Sequence, residues 1–294
     1  ITDPGQIIGF PAVAIGVAKN VTHAPYMYVT PQMITQIDRQ KMIEEDFRTG
    51  LENNEFSVLY QPKVDSDTNM IVGGEGLVRW IKDNEVIPPS EFVPVLERDG
   101  EVGALDLFVL ERVCQDMVKW QESGVDYVPI SVNFSRRDLS DPFLAEQIFG
   151  IIKKYDINPK YIQIEVTETI DEEEHGLMTG FLTRLRDLKI STAIDDFGSG
   201  YSSLSTLRDF KFSVLKIDRS FINNDGFTKN DEIIIKGIID MAKALGIEVI
   251  VEGVERRDQL DFMRNLGCNI IQGFFYDEPL TMEQFTARLV SKVY

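Results

Sequence analysis

Seven polar side chains stand where short apolar runs give out: Glu75, Asn133, Glu165, Asp195, Lys216, Glu252 and Gln272. Singly, each reads as a strand-end turn former or a helix cap. Gathered at one end of a hydrophobic core, the carboxylates would repel one another and resist ionisation unless cations joined them. Glu75, Asn133, Glu165 and Asp195 form one hard oxygen set, and Asp195, Asp196 and Glu252 a second, with Asp195 bridging. Oxygen donors of this kind suit Mg²⁺, Mn²⁺ or Ca²⁺ rather than zinc. Two ions about 3.5–4 Å apart are the usual machinery for hydrolysing phosphodiesters. Lys216 would orient the attacking water and stabilise charge on the phosphate. Arg79 has the fork geometry that grips a phosphate, and a surface ion pair accounts for it equally well. Asp195-Asp196-Phe197-Gly198, taken alone, is as good a turn as a ligand pair.

These residues lie 20 to 58 positions apart along the chain, so a fold must bring them together. Apolar periodicity predicts a helix over Pro31–Asn53, then strands over Phe56–Val64 and Met70–Trp80 joined by a turn, hence antiparallel neighbours. Ser90 reads as the cap of a helix beginning Glu91-Phe92. Helix and strand then alternate to the C-terminus, with strands stopping at Asn133, Glu165, Asp195, Lys216, Glu252 and Gln272. Repeated β-α units with short connections mean a parallel sheet covered by helices. Eight strands over about 240 residues fit a modified (β/α)8 barrel of the triosephosphate isomerase type, whose parallel strands end at one active rim. The antiparallel start departs from the ideal. An open doubly wound sheet is the alternative, but Gly73-Gly74-Glu75-Gly76 is a poor phosphate loop with no helix directly behind it.

Composition narrows the function. The 294 residues carry a net charge of -18, which argues against binding nucleic acid polymers through their phosphates. A small phosphate ligand stays open, because bound metal ions invert the local field. Cys114 and Cys268 form no metal-binding spacing and read as buried thiols, and His23 and His175 stand alone. No apolar run is long enough to span a membrane and none reads as a signal peptide, so a cytoplasmic protein is expected. Residues 1–30 differ from the rest, with a strand-like Phe10–Ala18, and read as the remnant of a preceding domain. Residues 31–54 read as a linker helix and 55–294 as the barrel.

The motifs resemble those of the EAL family of cyclic di-GMP phosphodiesterases. The matching segments are Tyr60-Gln61-Pro62, Glu75-Gly76-Leu77-Val78-Arg79-Trp80, Val132-Asn133, Glu165-Val166-Thr167-Glu168, Asp195-Asp196-Phe197-Gly198, Leu215-Lys216-Ile217-Asp218, Glu252-Gly253-Val254-Glu255 and Gln272-Gly273. The resemblance implies a modified eight-stranded barrel with one antiparallel strand and two Mg²⁺ or Mn²⁺ ions on Glu75, Asn133, Glu165, Asp195, Asp196 and Glu252. It implies catalytic roles for Glu75, Lys216 and Glu252, with Lys216 on the hydrolytic water. Gln61, Leu77, Arg79, Asn133 and Gln272 would meet the substrate, cyclic di-GMP, which would leave as linear pGpG. Glu168 would steady the loop that starts at Asp196, and that loop would contribute to a homodimer. Gly76 stands where the family has alanine, a loss that costs about 0.5–1 kcal/mol of strand order but removes no ligand. Phe10–Ala18 is similar to a late strand of GGDEF domains, without that family's signature loop. The alternative to an enzyme is an EAL-like receptor that binds cyclic di-GMP and signals to a partner; a purely dimerising scaffold ranks below both.

Overall fold

A computed structural model of the protein describes residues 30–167, 175–198, 204–222 and 226–294. The strand expected at Phe10–Ala18, Glu168, the acidic stretch Asp171–Glu174 and Ser199-Gly200 lie outside them. The described residues fall into two compact units, one holding 30–56 together with Trp80–Asp99, the other holding the described residues of Ser57–Arg79 and Gly100–Tyr294.

In the first unit, helix α1 (Pro31–Glu52) starts at Thr30, whose hydroxyl accepts from the Met33 amide, with Pro31 at the first helical position. A short strand that the sequence did not signal, β3 (Glu85–Ile87), pairs antiparallel with residues 80–82. Helix α2 (Pro89–Asp99) begins two residues before the expected start, so Ser90 lies inside it rather than capping it. Proline suits that first turn because its missing N–H has no partner to lose there. Phe47, Trp80 and Phe92 close around Phe56, and Arg39 bridges Glu85 and Glu91.

The remaining strands are β1 (Phe56–Asp65), β2 (Met70–Lys82), β4 (Ile130–Asn133), β5 (Ile162–Thr167), β6 (Ser191–Phe197), β7 (Val214–Ile217), β8 (Glu248–Val251) and β9 (Ile270–Gln272). They follow the order β1-β9-β8-β7-β6-β5-β4-β2, and β1 pairs with β2 to close the barrel. Neighbours from β2 through β4 to β9 are parallel, and β1 runs antiparallel to β9. The fold is thus a closed, mixed eight-stranded barrel, a modified (β/α)8 barrel with β3 as an added ninth strand. The other α-helices among the described residues are α3 (Val102–Glu122), α4 (Leu144–Lys154), α5 (His175–Asp187), α6 (Leu204–Asp209), α7 (Lys229–Ala244), α8 (Arg257–Asn265) and α9 (Met282–Ser291).

Alternation along the strands sorts the side chains. Ile162, Ile164 and Val166 of β5, and Leu215 and Ile217 of β7, join the main apolar core with Val113, Ile148 and Leu185 of the helices. The opposite face carries Ser131, Glu165 and Lys216, all buried, with Ala193, Val214 and Ile250 as a small separate apolar cluster. A barrel of this class ordinarily fills its interior with branched apolar side chains; this one holds charges there. Cys114 and Cys268 are free and buried, and burial pushes both thiols up to about 12.

Candidate active site

The inward face explains how distant residues meet, and it corrects one reading. The strands do not stop at Glu165, Asp195 and Lys216 but run on, β5 as far as Thr167, β6 as far as Phe197 and β7 as far as Ile217. The polar residues interrupt apolar runs because every second position faces the barrel interior, not because the strand has finished. Register aligns them: Glu75 lies beside Ser131, Asn133 beside Glu165, and Lys216 beside Ile250.

Two adjacent acids cannot both face inward on a regular strand. At Asp195-Asp196 the pairing slips: Ile194 sits opposite Leu215 and Phe197 opposite Ile217, so two residues face the single Lys216. Asp196 takes a left-handed φ of 54°. This bulge re-aims the second carboxylate, and both acids line one cavity.

Lys216 is the centre of the constellation. It is 0% exposed, and its Nζ lies 3.1 Å from Glu75, 2.5 Å from Glu165, 3.0 Å from Asp195 and 2.8 Å from Glu252. Glu75 also accepts from Asn133 Nδ2 at 2.7 Å and from Gln272 Nε2 at 2.6 Å. Ligand oxygens of Glu75, Glu165 and Asp195 fall within 4.8 Å of one another, as do those of Asp195, Asp196 and Glu252. Asp195 belongs to both groups.

The charges do not balance. Burial pushes Asp195 well above the usual carboxylate range, with Glu165, Glu252 and Glu75 adding to the rise against Lys216. Burial likewise lifts Glu252 to about 7, and burial with Asp218 raises Asp196. Glu165 goes the other way: burial alone would raise it, but Lys216 and Lys63 outweigh that and hold it at about 2. Protein cations thus satisfy one carboxyl and leave three strained, and two oxygen clusters with a shared member would accept divalent ions. Gln272 Oε1, buried on the same wall, has no hydrogen-bond partner among the described residues.

Above the acids opens a cavity of about 930 Å³, ample for a ligand of nucleotide size. Gln61, Leu77 and Arg79 line it. Gln61 Nε2 is tied to the Asp277 carbonyl at 2.6 Å, and Arg79 spends one N–H on the Val78 carbonyl at 2.8 Å. Burial lowers the Arg79 pKa, with Glu75 opposing. Glu252 is followed by Gly253 at φ 70°, where a Cβ would lie 2.4 Å from Arg219 Cβ; only glycine lets the chain turn against that residue. Sequence reasoning left out Arg219, Glu255 and Phe274 of the cavity wall, and it missed Lys63 beneath. The signal for Lys63 was its place two residues after Gln61 in an apolar strand, on the same face.

A family model described as the EAL domain matches residues 44–279. The chain belongs to the EAL domain family. It is 31% identical over 271 residues to the bifunctional diguanylate cyclase/cyclic di-GMP phosphodiesterase MucR of Pseudomonas aeruginosa, covering 92% of this chain and 40% of that protein. It is 31% identical over 256 residues to the cyclic di-GMP phosphodiesterase NbdA of the same organism, covering 87% of this chain and 33% of that one. The EAL chain thus spans about a third to two-fifths of the length of these curated relatives. A solved structure of the MucR phosphodiesterase in complex with c-di-GMP superposes with a TM-score of 0.77 at 32% identity, covering 83% of this chain and 99% of that one. Among the described residues no helix is long and apolar enough to cross a membrane.

Proposed function

We propose that this EAL domain is a metal-dependent phosphodiesterase that opens one 3′–5′ bond of cyclic di-GMP and releases linear pGpG. One observation carries the reading: two groups of carboxylates share Asp195 and enclose the Nζ of Lys216 at the floor of a nucleotide-sized cavity. The wall of that cavity holds six carboxylates and two arginines. A doubly anionic cyclic dinucleotide would be repelled by it unless cations came too. Kinship with phosphodiesterases named for cyclic di-GMP, and the c-di-GMP complex of the MucR domain, support the substrate.

Glu75, Asn133, Glu165 and Asp195 would hold one ion, and Asp195, Asp196 and Glu252 the other, Mg²⁺ or Mn²⁺ by their hard oxygens. When bound, the pair would supply Lewis acidity to the phosphate and acidify water. The chain's own residues do the rest. Lys216, fixed on all sides by carboxylates, brings a positive charge that cannot wander and can donate to an attacking water. Asn133 and Gln272 hold Glu75 in one orientation. Arg79 offers its remaining N–H groups to a phosphate, and Gln61 and Leu77 shape the wall beside it.

Purified protein with Mg²⁺ or Mn²⁺ should convert cyclic di-GMP to pGpG, followed by chromatography of the nucleotides. Glu75→Ala or Asp195→Ala should abolish conversion. Tight binding by the parent chain with no turnover would replace the enzyme with a receptor, and no binding would end both readings.

A further inference from the structure

Glu165 is 0% exposed, and each of its oxygens is taken by a different lysine. Lys216 donates to Oε2 at 2.5 Å, and Lys63 donates to Oε1 at 2.8 Å. Lys63 is itself 4% exposed. It belongs to β1, which runs against its neighbour β9, so the inward face that presents Gln61 to the upper cavity presents Lys63 further down. There it borders a second, smaller cavity of about 330 Å³ with Gln163, Ser191 and Ser213. Its Nζ also donates to Ser131 Oγ at 2.7 Å, and that hydroxyl donates to the carbonyl of Gly74, the residue before Glu75, at 3.3 Å. Gln163 Oε1 lies 3.4 Å away, with the amide nitrogen of Gln163 committed to Ser191.

We infer that Lys63 is a positioning residue for the acidic centre: it clamps Oε1 of Glu165 from beneath, so that only Oε2 is offered to the cluster shared with Glu75 and Asp195. The inference rests on the metal-dependent reading of that cluster. A carboxylate gripped at one oxygen keeps one orientation, and groups that orient ligands this way govern metal affinity. Among the described residues, Lys63 is the lysine that donates to Oε1, as Lys216 is the one that donates to Oε2. The tether through Ser131 to Gly74 lets the same ammonium brace the backbone beside Glu75. Lys63 does not line the upper cavity, so its effect is on the centre and not on substrate contact.

The test is a Mn²⁺ binding isotherm on the full chain without nucleotide, for the parent, Lys63→Met, Lys63→Arg and Ser131→Ala, alongside thermal melts. Lys63→Met should weaken Mn²⁺ binding by about 10–100-fold, with Lys63→Arg recovering part of the loss and Ser131→Ala losing a few-fold while the charge stays. In turnover, kcat should fall with KM unchanged. A folded Lys63→Met with the parent's isotherm overturns the inference and leaves the phosphodiesterase reading intact, even if its melting point drops, since that is what simple charge neutralisation would give. Should Lys63→Met fail to fold, Ser131→Ala decides: a parental isotherm overturns the inference, a weakened one upholds it. A parent chain that takes up no Mn²⁺ overturns the metal reading and this inference together.

Discussion

Lys216→Met is the perturbation from which the structure yields a magnitude most directly. Methionine has nearly the lysine's length and fills the same space, so the change removes one charge with little change in packing. Four carboxylates within 3.1 Å lose that charge at once. They do not lose equally. Glu165 keeps Lys63, and Glu75 keeps the amides of Asn133 and Gln272. Asp195 and Glu252, already pushed upward by burial, lose their ammonium partner. Removing one member of a buried ion pair costs about 3–5 kcal/mol, because the other charge stays behind. Proton uptake by Asp195 and Glu252 relieves some of this, which places the expected loss near 3 kcal/mol in EDTA at neutral pH. At about 2–4 °C per kcal/mol for a chain of this class, the melting point should fall by roughly 6–12 °C. Divalent ions would replace part of the missing charge, so Mg²⁺ should stabilise the variant more than it stabilises the parent. The assay is a pair of thermal melts for each protein, in EDTA and in Mg²⁺. A variant as stable as its parent in EDTA would refute the reasoning, since the acids would then not depend on that ammonium.

Three further outcomes are expected. Mg²⁺ at a hundredfold excess over Kd should raise the parent's stability by about 2.7 kcal/mol for each ion bound, and Asp195→Asn, which removes a carboxylate common to both clusters, should erase most of that gain in a urea titration. Ca²⁺ should compete with Mg²⁺ and inhibit turnover, because its longer, looser coordination misplaces the reacting groups; full activity in Ca²⁺ alone would contradict the geometry. Gly76 pairs with Val132, and a Cβ there would lie 3.1 Å from Val113 Cγ2, so Gly76→Ala should trade about 0.5–1 kcal/mol of strand order against about 1–3 kcal/mol of crowding. Combined with Val113→Ala it should be less costly than the two singles added, and additivity within about 0.5 kcal/mol would refute the contact.

The barrel was legible because its outward faces are plain in the sequence. Ile162-Gln163-Ile164-Glu165-Val166 alternates apolar and polar residues, and the apolar half packs on helices while the polar half meets inside. Read as apolar runs with polar ends, such segments still mark residues that meet inside the barrel while misplacing where several of the strands stop. β3 was illegible for a different reason: three residues carry too little pattern to stand above a turn, and pairing to 80–82 alone defines it. Lys63 escaped because a lysine in a strand normally faces water, and only its partners Glu165 and Ser131, 102 and 68 positions away, make it an interior residue.

The adjacent acids show what local reading leaves out. Asp195-Asp196 can be read as two ligands or as a turn, and the backbone leaves room for both readings at once. A regular strand would send the two carboxylates to opposite faces. The slipped register against β7 and the left-handed φ at Asp196 are turn-like features placed within the strand, and they bring the second carboxylate into the cavity. Asp tolerates that conformation better than most residues, so the residue type that would ligate is also the one that allows the bend. Replacing Asp196 by Glu would keep the charge but force a longer side chain and a less tolerant backbone into the bulge. By the strain of such a position it should cost about 1–3 kcal/mol, and in a Mn²⁺ isotherm it should weaken the Asp195–Glu252 cluster. A Glu variant with parental stability and affinity would mean that the bulge is not what aims this carboxylate.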